Sequence, residues 1–348
     1  MVESSGWELP GSYGNVSEEH VAVRTRAGLF DRSDTGLVEV AGEGALAAIQ
    51  WMTSNDAARL MVGQVQHSAL TTRDGTFLDE LLVYRLAANH FLLTVNAANL
   101  KKDVLWILDQ ATRFGDVAVV DTSSRYSVVS LQGPASREVL QALTGADLER
   151  LEEFAFTYGE VAGARATISR TVLLGENGFD VLVPPQSALR VWQAMLREGA
   201  DAGVVAAGMH AFDTLRLEAA WRLYGADVDE TTSVLEAGMD AIVAWDKGDF
   251  NGRPALADQR EKGLSRRLVG FEMVDAAVAR QGCAAFVGGA RVGVVTSGAE
   301  TPQPRKAIGL AYLSIAHAEI GASFDVDVHG RLARARVAEL PFYQRPKG

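Results

Sequence analysis

Residues 75–96, GTFLDELLVYRLAANHFLLTVN, read as two strands joined by a short polar turn at Ala87-Ala88-Asn89. In a strand, alternate residues share a face. One register of the first strand is Phe77, Asp79, Leu81, Val83 and Arg85. The other is Leu78, Glu80, Leu82, Tyr84 and Leu86. The second register is the more apolar, yet it carries Glu80. A carboxylate among Leu, Leu and Tyr is costly to bury ionised unless something pairs with it. A raised pKa or a cationic partner would suit a group that handles protons on a ligand. The competing reading is an edge strand whose Glu80 reaches water.

Working outward, the segment after the hairpin predicts a helix over 100–111, capped by Asn99 or Asn96. Leu100, Val104, Ile107, Leu108 and Ala111 form its apolar stripe. Upstream lie a short strand at 37–40 and a helix over about 44–52. Further upstream, Ser17 begins a helix that ends near Gly28, after an extended arm over 6–15. A strand-strand-helix block of this kind implies an α+β layer, with helices on one face of an antiparallel sheet.

Downstream, 117–121 and 126–131 read as strands, and Gly133-Pro134 opens a helix. Residues 166–183 read as a second hairpin, with Asn177-Gly178 as its tight turn. Beyond that turn Phe179, Val181 and Val183 share one face, and Asp180 shares the other with Leu182. Asp180 is therefore a second carboxylate beside apolar neighbours, with a solvated face as the alternative. Amphipathic helices follow over 186–199 and 209–221, with Leu189, Trp192, Met195 and Leu196 inward on the first.

The polar break over 262–267 is the preferred boundary. After it, short runs at 267–273, 282–287, 291–296, 308–313, 324–328 and 334–338 alternate with glycine-rich turns, as in a small antiparallel barrel. The predicted organisation is a region 1–262 of two interleaved α+β lobes, one roughly 45–125, and a β-barrel domain over 266–348.

A chain of 348 residues exceeds what one growing core supports, which agrees with several domains. A net charge of -11 argues against a nucleic-acid partner. With one cysteine, Cys283, a disulfide framework and a thiolate metal cluster are excluded, and none of the six histidines has metal-ligand spacing. No run of 18 apolar residues predicts a membrane span. The start, MVESSGWELP, lacks the features of a secretory signal, so a cytoplasmic setting is expected. No GxGxxG, GxxxxGK[ST] or GxSxG motif is present.

Several tracts together resemble the aminomethyltransferase family, the T-protein of glycine cleavage and its folate-dependent relatives. They are Gly28-Leu-Phe-Asp31, Leu78-Asp-Glu-Leu-Leu-Val-Tyr84, Val95-Asn-Ala-Ala-Asn99 with Lys102-Asp103, and Leu131-Gln-Gly-Pro134. Next come Ser169-Arg-Thr171, Gly175-Glu-Asn-Gly-Phe-Asp180, Asp213-Thr-Leu-Arg-Leu-Glu218 and Leu223-Tyr-Gly225. The last are Lys247-Gly-Asp-Phe-Asn-Gly252, Val294-Val-Thr-Ser-Gly298 and Leu340-Pro-Phe-Tyr343. Their order and spacing run over nearly the whole chain.

The resemblance implies a three-lobed α+β fold with ferredoxin-like antiparallel sheet layers, a C-terminal antiparallel β-barrel and tetrahydrofolate as cofactor. It places Glu80 at the folate nitrogen that receives the carbon, with Tyr84 beside it as a catalytic residue. Asp180, Asn96, Glu176 and Arg170 would hold the cofactor. The family pattern usually has Asp where this chain has Glu80, and Glu where it has Asp180, so the side-chain lengths are exchanged.

Other departures fall on the substrate side. His67 and Leu173 replace tyrosines, Phe212 replaces an arginine, and Ser33-Asp34-Thr35 stands for Ser-His-Met. His67, Leu173, Phe212 and Trp51 would shape the substrate pocket. The expected function is therefore a tetrahydrofolate-dependent one-carbon transferase or demethylase acting on a small amine, ether or sulfonium donor. Two alternatives stand beside it. One is T-protein activity itself, with a lipoyl carrier protein as partner. The other is a non-catalytic folate-binding maintenance factor, against which the absence of a cysteine at Asp249 counts. No nucleic acid, membrane or metal is implied.

Overall fold

A computed structural model of the chain describes residues 1–302 and 305–345. The chain divides into two compact units that interleave in sequence. One comprises 1–70, 79–212 and 242–251. The other comprises 71–78, 213–241 and the chain from 252 onward.

The first unit holds two sheets. The five-stranded sheet runs in the order Val65–Thr71, Phe77–Ala87, His90–Val95, Gly36–Ala41, Ala118–Asp121. The predicted hairpin is its second and third strands, antiparallel, with Tyr84 opposite Leu92 and Leu82 opposite Thr94. Phe77–Ala87 is thus an interior strand, and its residues from Phe77 to Tyr84 are buried on both faces. The edge-strand reading of Glu80 fails for that reason: both ladders of the strand are occupied, and the carboxylate is 6% exposed.

Helix Leu100–Ala111 buries Asp103, Ile107 and Ala111, while Leu108 is exposed. The predicted apolar stripe is therefore rotated, because Asp103 turns inward at the helix start.

The six-stranded sheet runs Ala155–Val161, Ala164–Arg170, Gly178–Val183, Ser127–Gln132, Gly28–Asp31, Val205–Ala206. Its alternation is visible in Gly178–Val183. Phe179, Val181 and Val183 enter a core with Leu29, Leu131, Ile168 and Met195, so Gly178, Asp180 and Leu182 take the other face. Strands 164–170 and 178–183 do pair antiparallel, with Ser169 opposite Asp180. The connection is the longer loop 171–177, however, and Asn177-Gly178 is not its turn. Gly175 holds the positive φ of 77°, and Gly178 is already in the strand. Helix Pro185–Glu198 covers the core face through Val191 and Met195, whereas Leu189 is exposed.

In the second unit, six antiparallel strands close into a barrel in the order Arg266–Met273, Arg305–Ser314, Ala290–Pro302, Ala284–Val287, Ser323–Val328, Arg331–Ala338. Closure leaves no open sheet edge. Inside, Phe271 and Phe324 meet edge to face at 5.6 Å, packed with Val295, Leu313 and Val326. Cys283 precedes its strand rather than lying in it, and is half-buried against this core. The fold is α+β, as expected. Among the described residues no helix is long and apolar enough to cross a membrane.

The same unit is tied together by a buried ion pair. Helix Met209–Glu218 presents Arg216, whose Nη1 lies 2.5 Å from Asp227 Oδ2. Its Nε donates to Asp213 Oδ1 at 2.8 Å and its Nη2 to Ser297 Oγ at 2.9 Å. Asp227 also accepts from Thr296 Oγ1 at 2.6 Å and from the Leu223 backbone N–H at 3.0 Å. Burial alone would push the Arg216 guanidinium down, but the Asp227 and Asp213 carboxylates hold it above its ordinary value. Three of the tracts that carry the resemblance, 213–218, 223–225 and 294–298, meet in this network. The side chains of Asp213, Arg216, Thr296 and Ser297 are spent within it, and tract 223–225 contributes a backbone N–H.

Candidate active site

The face of the six-stranded sheet that points away from the apolar core carries a polar row. Ser169, Asp180, Ser130 and Phe30 are register neighbours on four adjacent strands. Thr171 Oγ1 donates to Asp180 Oδ2 at 2.6 Å. One register step away, the Gln132 side chain lies directly over Gly178, where any Cβ would stand 1.9 Å from its Oε1. A side chain at 178 would displace the Gln132 amide from this position. Gln132 Nε2 donates to Ser130 Oγ at 2.9 Å, and its Oε1 is buried without a hydrogen-bond partner.

Tyr84 comes to this row from the other sheet of the unit. Burial raises its phenol, Asp180's charge raises it further, and the Ser169 hydroxyl acts the other way. The phenol therefore stays protonated and is a donor. Its ring packs 5.5 Å from that of Phe156.

Glu80 lies on the same strand face as Tyr84, two alternations earlier. Its Oε1 meets His67 Nε2 at 2.7 Å. The histidine, on strand Val65–Thr71, is the cationic-capable partner that the alternation argument demanded.

Asp79, in the opposite register, is enclosed more tightly than Glu80. Its Oδ1 accepts from Asn96 Nδ2 at 2.7 Å and Asn99 Nδ2 at 2.8 Å, and its Oδ2 from the Asn96 backbone N–H at 2.8 Å. Burial raises its pKa, opposed by hydrogen bonds with Asp103, Asn96 and Asn99. Asn96 Nδ2 also reaches the Glu80 carbonyl at 3.2 Å. Asn96 thus fixes the backbone beneath the two carboxylates.

The remaining candidates divide. Arg170 is committed to the chain: Nε to Asn177 Oδ1 at 3.1 Å and Nη1 to the Leu151 carbonyl at 2.7 Å. Glu176 is buried in the 171–177 loop, and Leu173 is half-buried there. Trp51 Nε1 donates to Gln110 Oε1 at 3.1 Å, and Arg113 lies 4.1 Å over its ring. These contacts tie Trp51 to the end of helix Leu100–Ala111 rather than to the polar row.

Phe212 meets Phe30 edge to face at 5.5 Å, and the Arg32 guanidinium stands 4.2 Å over the Phe212 ring. A cation therefore stands at the place where the family arginine was missed, supplied by Arg32 just after strand Gly28–Asp31.

The sequence reading passed over Thr171, Ser169, Gln132, Arg32 and the Asp79 cage. Thr171 and Ser169 stood in a quoted tract, and their i, i+2 spacing beside Asp180 was the available signal. Nothing in the sequence pattern paired Arg32 with Phe212.

A glycine-cleavage T-protein N-terminal domain model matches residues 1–247, and the glycine cleavage T-protein C-terminal barrel domain model matches 266–344. The chain belongs to the glycine-cleavage T-protein family. Full-length relatives agree. An aminomethyltransferase of Anoxybacillus flavithermus is 42% identical over 348 residues, covering 99% of this chain and 95% of the relative. One of Symbiobacterium thermophilum is 43% identical over 352 residues, covering 99% and 94%. The crystal structure of the glycine cleavage system aminomethyltransferase T of Bartonella henselae superposes with a TM-score of 0.92 at 30% identity, covering 99% and 94%. This T-protein family member is accordingly an enzyme, a one-carbon transferase of the tetrahydrofolate-dependent type.

Proposed function

We propose that this T-protein family member is a glycine-cleavage aminomethyltransferase, moving the aminomethyl carbon of a lipoyl carrier protein to tetrahydrofolate as the amine leaves. The observation that carries this reading is that Tyr84, set against Asp180, and the His67–Glu80 pair share one face of strand Phe77–Ala87 in a full-length family member. The full-length relatives named aminomethyltransferase favour it over the small amine, ether or sulfonium donor expected from the sequence. That expectation rested on His67, Leu173, Ser33-Asp34-Thr35 and the loss of an arginine at Phe212. Arg32 over the Phe212 ring offsets the arginine loss. A maintenance role without chemistry is disfavoured by the same relatives.

The residues present fit a pterin. Asp180 Oδ1 is an open carboxylate oxygen, since Thr171 takes Oδ2. Gln132 Oε1 is an acceptor lacking a donor on the same sheet face. Ring amino and N–H groups would satisfy such acceptors, and hydrogen bonds to charged groups are the stronger kind. Tyr84, neutral, donates at the edge of this row. Glu80 stabilises positive charge or accepts a proton at the nitrogen that receives the carbon. Arg170 and Asn96 act through the chain by holding the loop and the hairpin end.

Anaerobic calorimetric titration with tetrahydrofolate, followed by turnover with an aminomethylated lipoyl carrier protein, tests the reading. Saturable binding and carrier-dependent methylene transfer are expected. Tetrahydrofolate binding with turnover only on small methylated donors would overturn the carrier assignment. Absence of binding at millimolar ligand would overturn the folate mechanism.

A further inference from the structure

His67 and Glu80 stand out in the sequence for separate reasons, the first as a pocket residue and the second as a proton-handling carboxylate. The structure makes them partners. Their side chains are 19% and 4% exposed, and Nε2 and Oε1 are 2.7 Å apart. Among the described residues this is the carboxylate's one hydrogen bond, and Oε2 has none. Both backbones are themselves held by asparagines. Asn55 Nδ2 donates to the His67 carbonyl at 2.9 Å, and Asn96 Nδ2 donates to the Glu80 carbonyl at 3.2 Å.

A glutamate side chain has three torsions to fix, which makes it a poor aiming device unless something restrains its end. An imidazole N–H on Oε1 supplies that restraint. It leaves Oε2 at one position, with its lone pairs unspent. Asp79, one residue away, shows the contrast: both of its oxygens are consumed by asparagine donors.

We propose that His67 is the positioning residue of the reaction, its Nε2–H holding Glu80 Oε1 so that Oε2 addresses the reacting nitrogen. At that atom a proton passes from substrate nitrogen to Oε2: the O–H bond forms, the N–H bond breaks, and the electron pair stays on nitrogen. In that role His67 acts through Glu80. The inference rests on the function proposed above.

The test is steady-state kinetics with an aminomethylated lipoyl carrier protein, together with calorimetric tetrahydrofolate binding. His67→Phe keeps the ring volume and removes the donor. Its kcat should fall about 100-fold, at the lower end of what a positioned acid–base group contributes. Tetrahydrofolate affinity and KM should stay close to those of the parent. His67→Gln, whose amide N–H falls near the Nε2 position, should recover most of kcat. In a Glu80→Gln background, His67→Phe should add no further loss.

Parental kcat in His67→Phe, a fall in tetrahydrofolate affinity matching the fall in rate, or losses that multiply in the double variant would each overturn the inference. Should His67→Phe fail to fold, His67→Asn, too short to reach Oε1, replaces it. A parent lacking tetrahydrofolate-dependent turnover overturns the functional reading and takes the inference with it. An active parent with an unaffected variant overturns the inference alone.

Discussion

The two compact units each bury charge, and they do so differently. In the second unit Arg216 and Asp227 spend their hydrogen-bonding capacity on each other and on Asp213, Ser297, Thr296 and a backbone N–H. In the first unit Glu80 has one partner, Asp180 has one, and Gln132 Oε1 has none. Buried polar groups are normally paired. A closed network therefore reads as architecture, and a cluster with unspent acceptors reads as a site awaiting donors. Both clusters coincide with tracts that resemble the family, so the resemblance alone does not separate the two roles. The hydrogen-bond inventory is where the two clusters differ.

The sharpest way to break this contrast is Asp227→Ala. It leaves the Arg216 guanidinium buried without its main partner, and a loss of about 3–5 kcal/mol is expected on chemical denaturation. A loss below about 1 kcal/mol would put the network in the surface-pair class instead.

Glu80→Gln should behave in the opposite way. Unfolding free energy should move by less than about 1 kcal/mol, in the range of substitutions that open no cavity and strand no charge. Turnover should fall by about 10²-fold or more. Tetrahydrofolate binding measured by calorimetry should persist.

Lys247 sharpens the comparison within the first unit. Its Nζ donates to the carbonyls of Gln50, Thr53 and Asn55 and lies 4.8 Å over the Phe250 ring. Below about pH 7, where the ammonium keeps three donors, Lys247→Met strands three carbonyls and should cost about 3 kcal/mol at roughly 1 kcal/mol per bond. Burial pushes this ammonium from 10.5 down to about 7, with the Asp56 charge acting the other way. Between those values the unfolded chain holds the proton while the folded chain releases it. The stability of the parent relative to Lys247→Met should therefore rise with pH from about 7 to 10. A difference falling over that window would mean that the carbonyls outweigh burial.

The smallest expected effect is at Asp180. Asp180→Asn should weaken tetrahydrofolate binding about 10-fold, near 1.4 kcal/mol, the scale of one weakened charged hydrogen bond. Melting temperature should hardly move, because Asp180 has only Thr171 to lose. An unchanged Kd would remove Asp180 from the site.

Much of this was legible in the residues. Period-two alternation marked Glu80 and Asp180 before any partner was visible, and the run of short strands after 266 indicated the barrel. The inward faces of helices were read less well. Leu108 and Leu189 fit an apolar stripe but are exposed, while Asp103 is buried. A 3.6-residue period gives the spacing of a face and not its rotation when polar residues also find partners. The Asn177-Gly178 pair looked like a tight turn, yet the Gln132 side chain claims Gly178 within the strand.

The sequence by itself determined the α+β class, the barrel and the family, and it singled out two carboxylates beside apolar neighbours. Those follow from local period, turn residues and order along the chain. Only the tertiary structure decided that His67 is the partner of Glu80, that Arg32 lies over Phe212, that Arg170 is committed to its own loop, and that 213–218, 223–225 and 294–298 form one ion network. Each of these joins residues on different elements. A hydrogen bond or a ring contact acts over a few ångströms of space, whatever the separation along the chain.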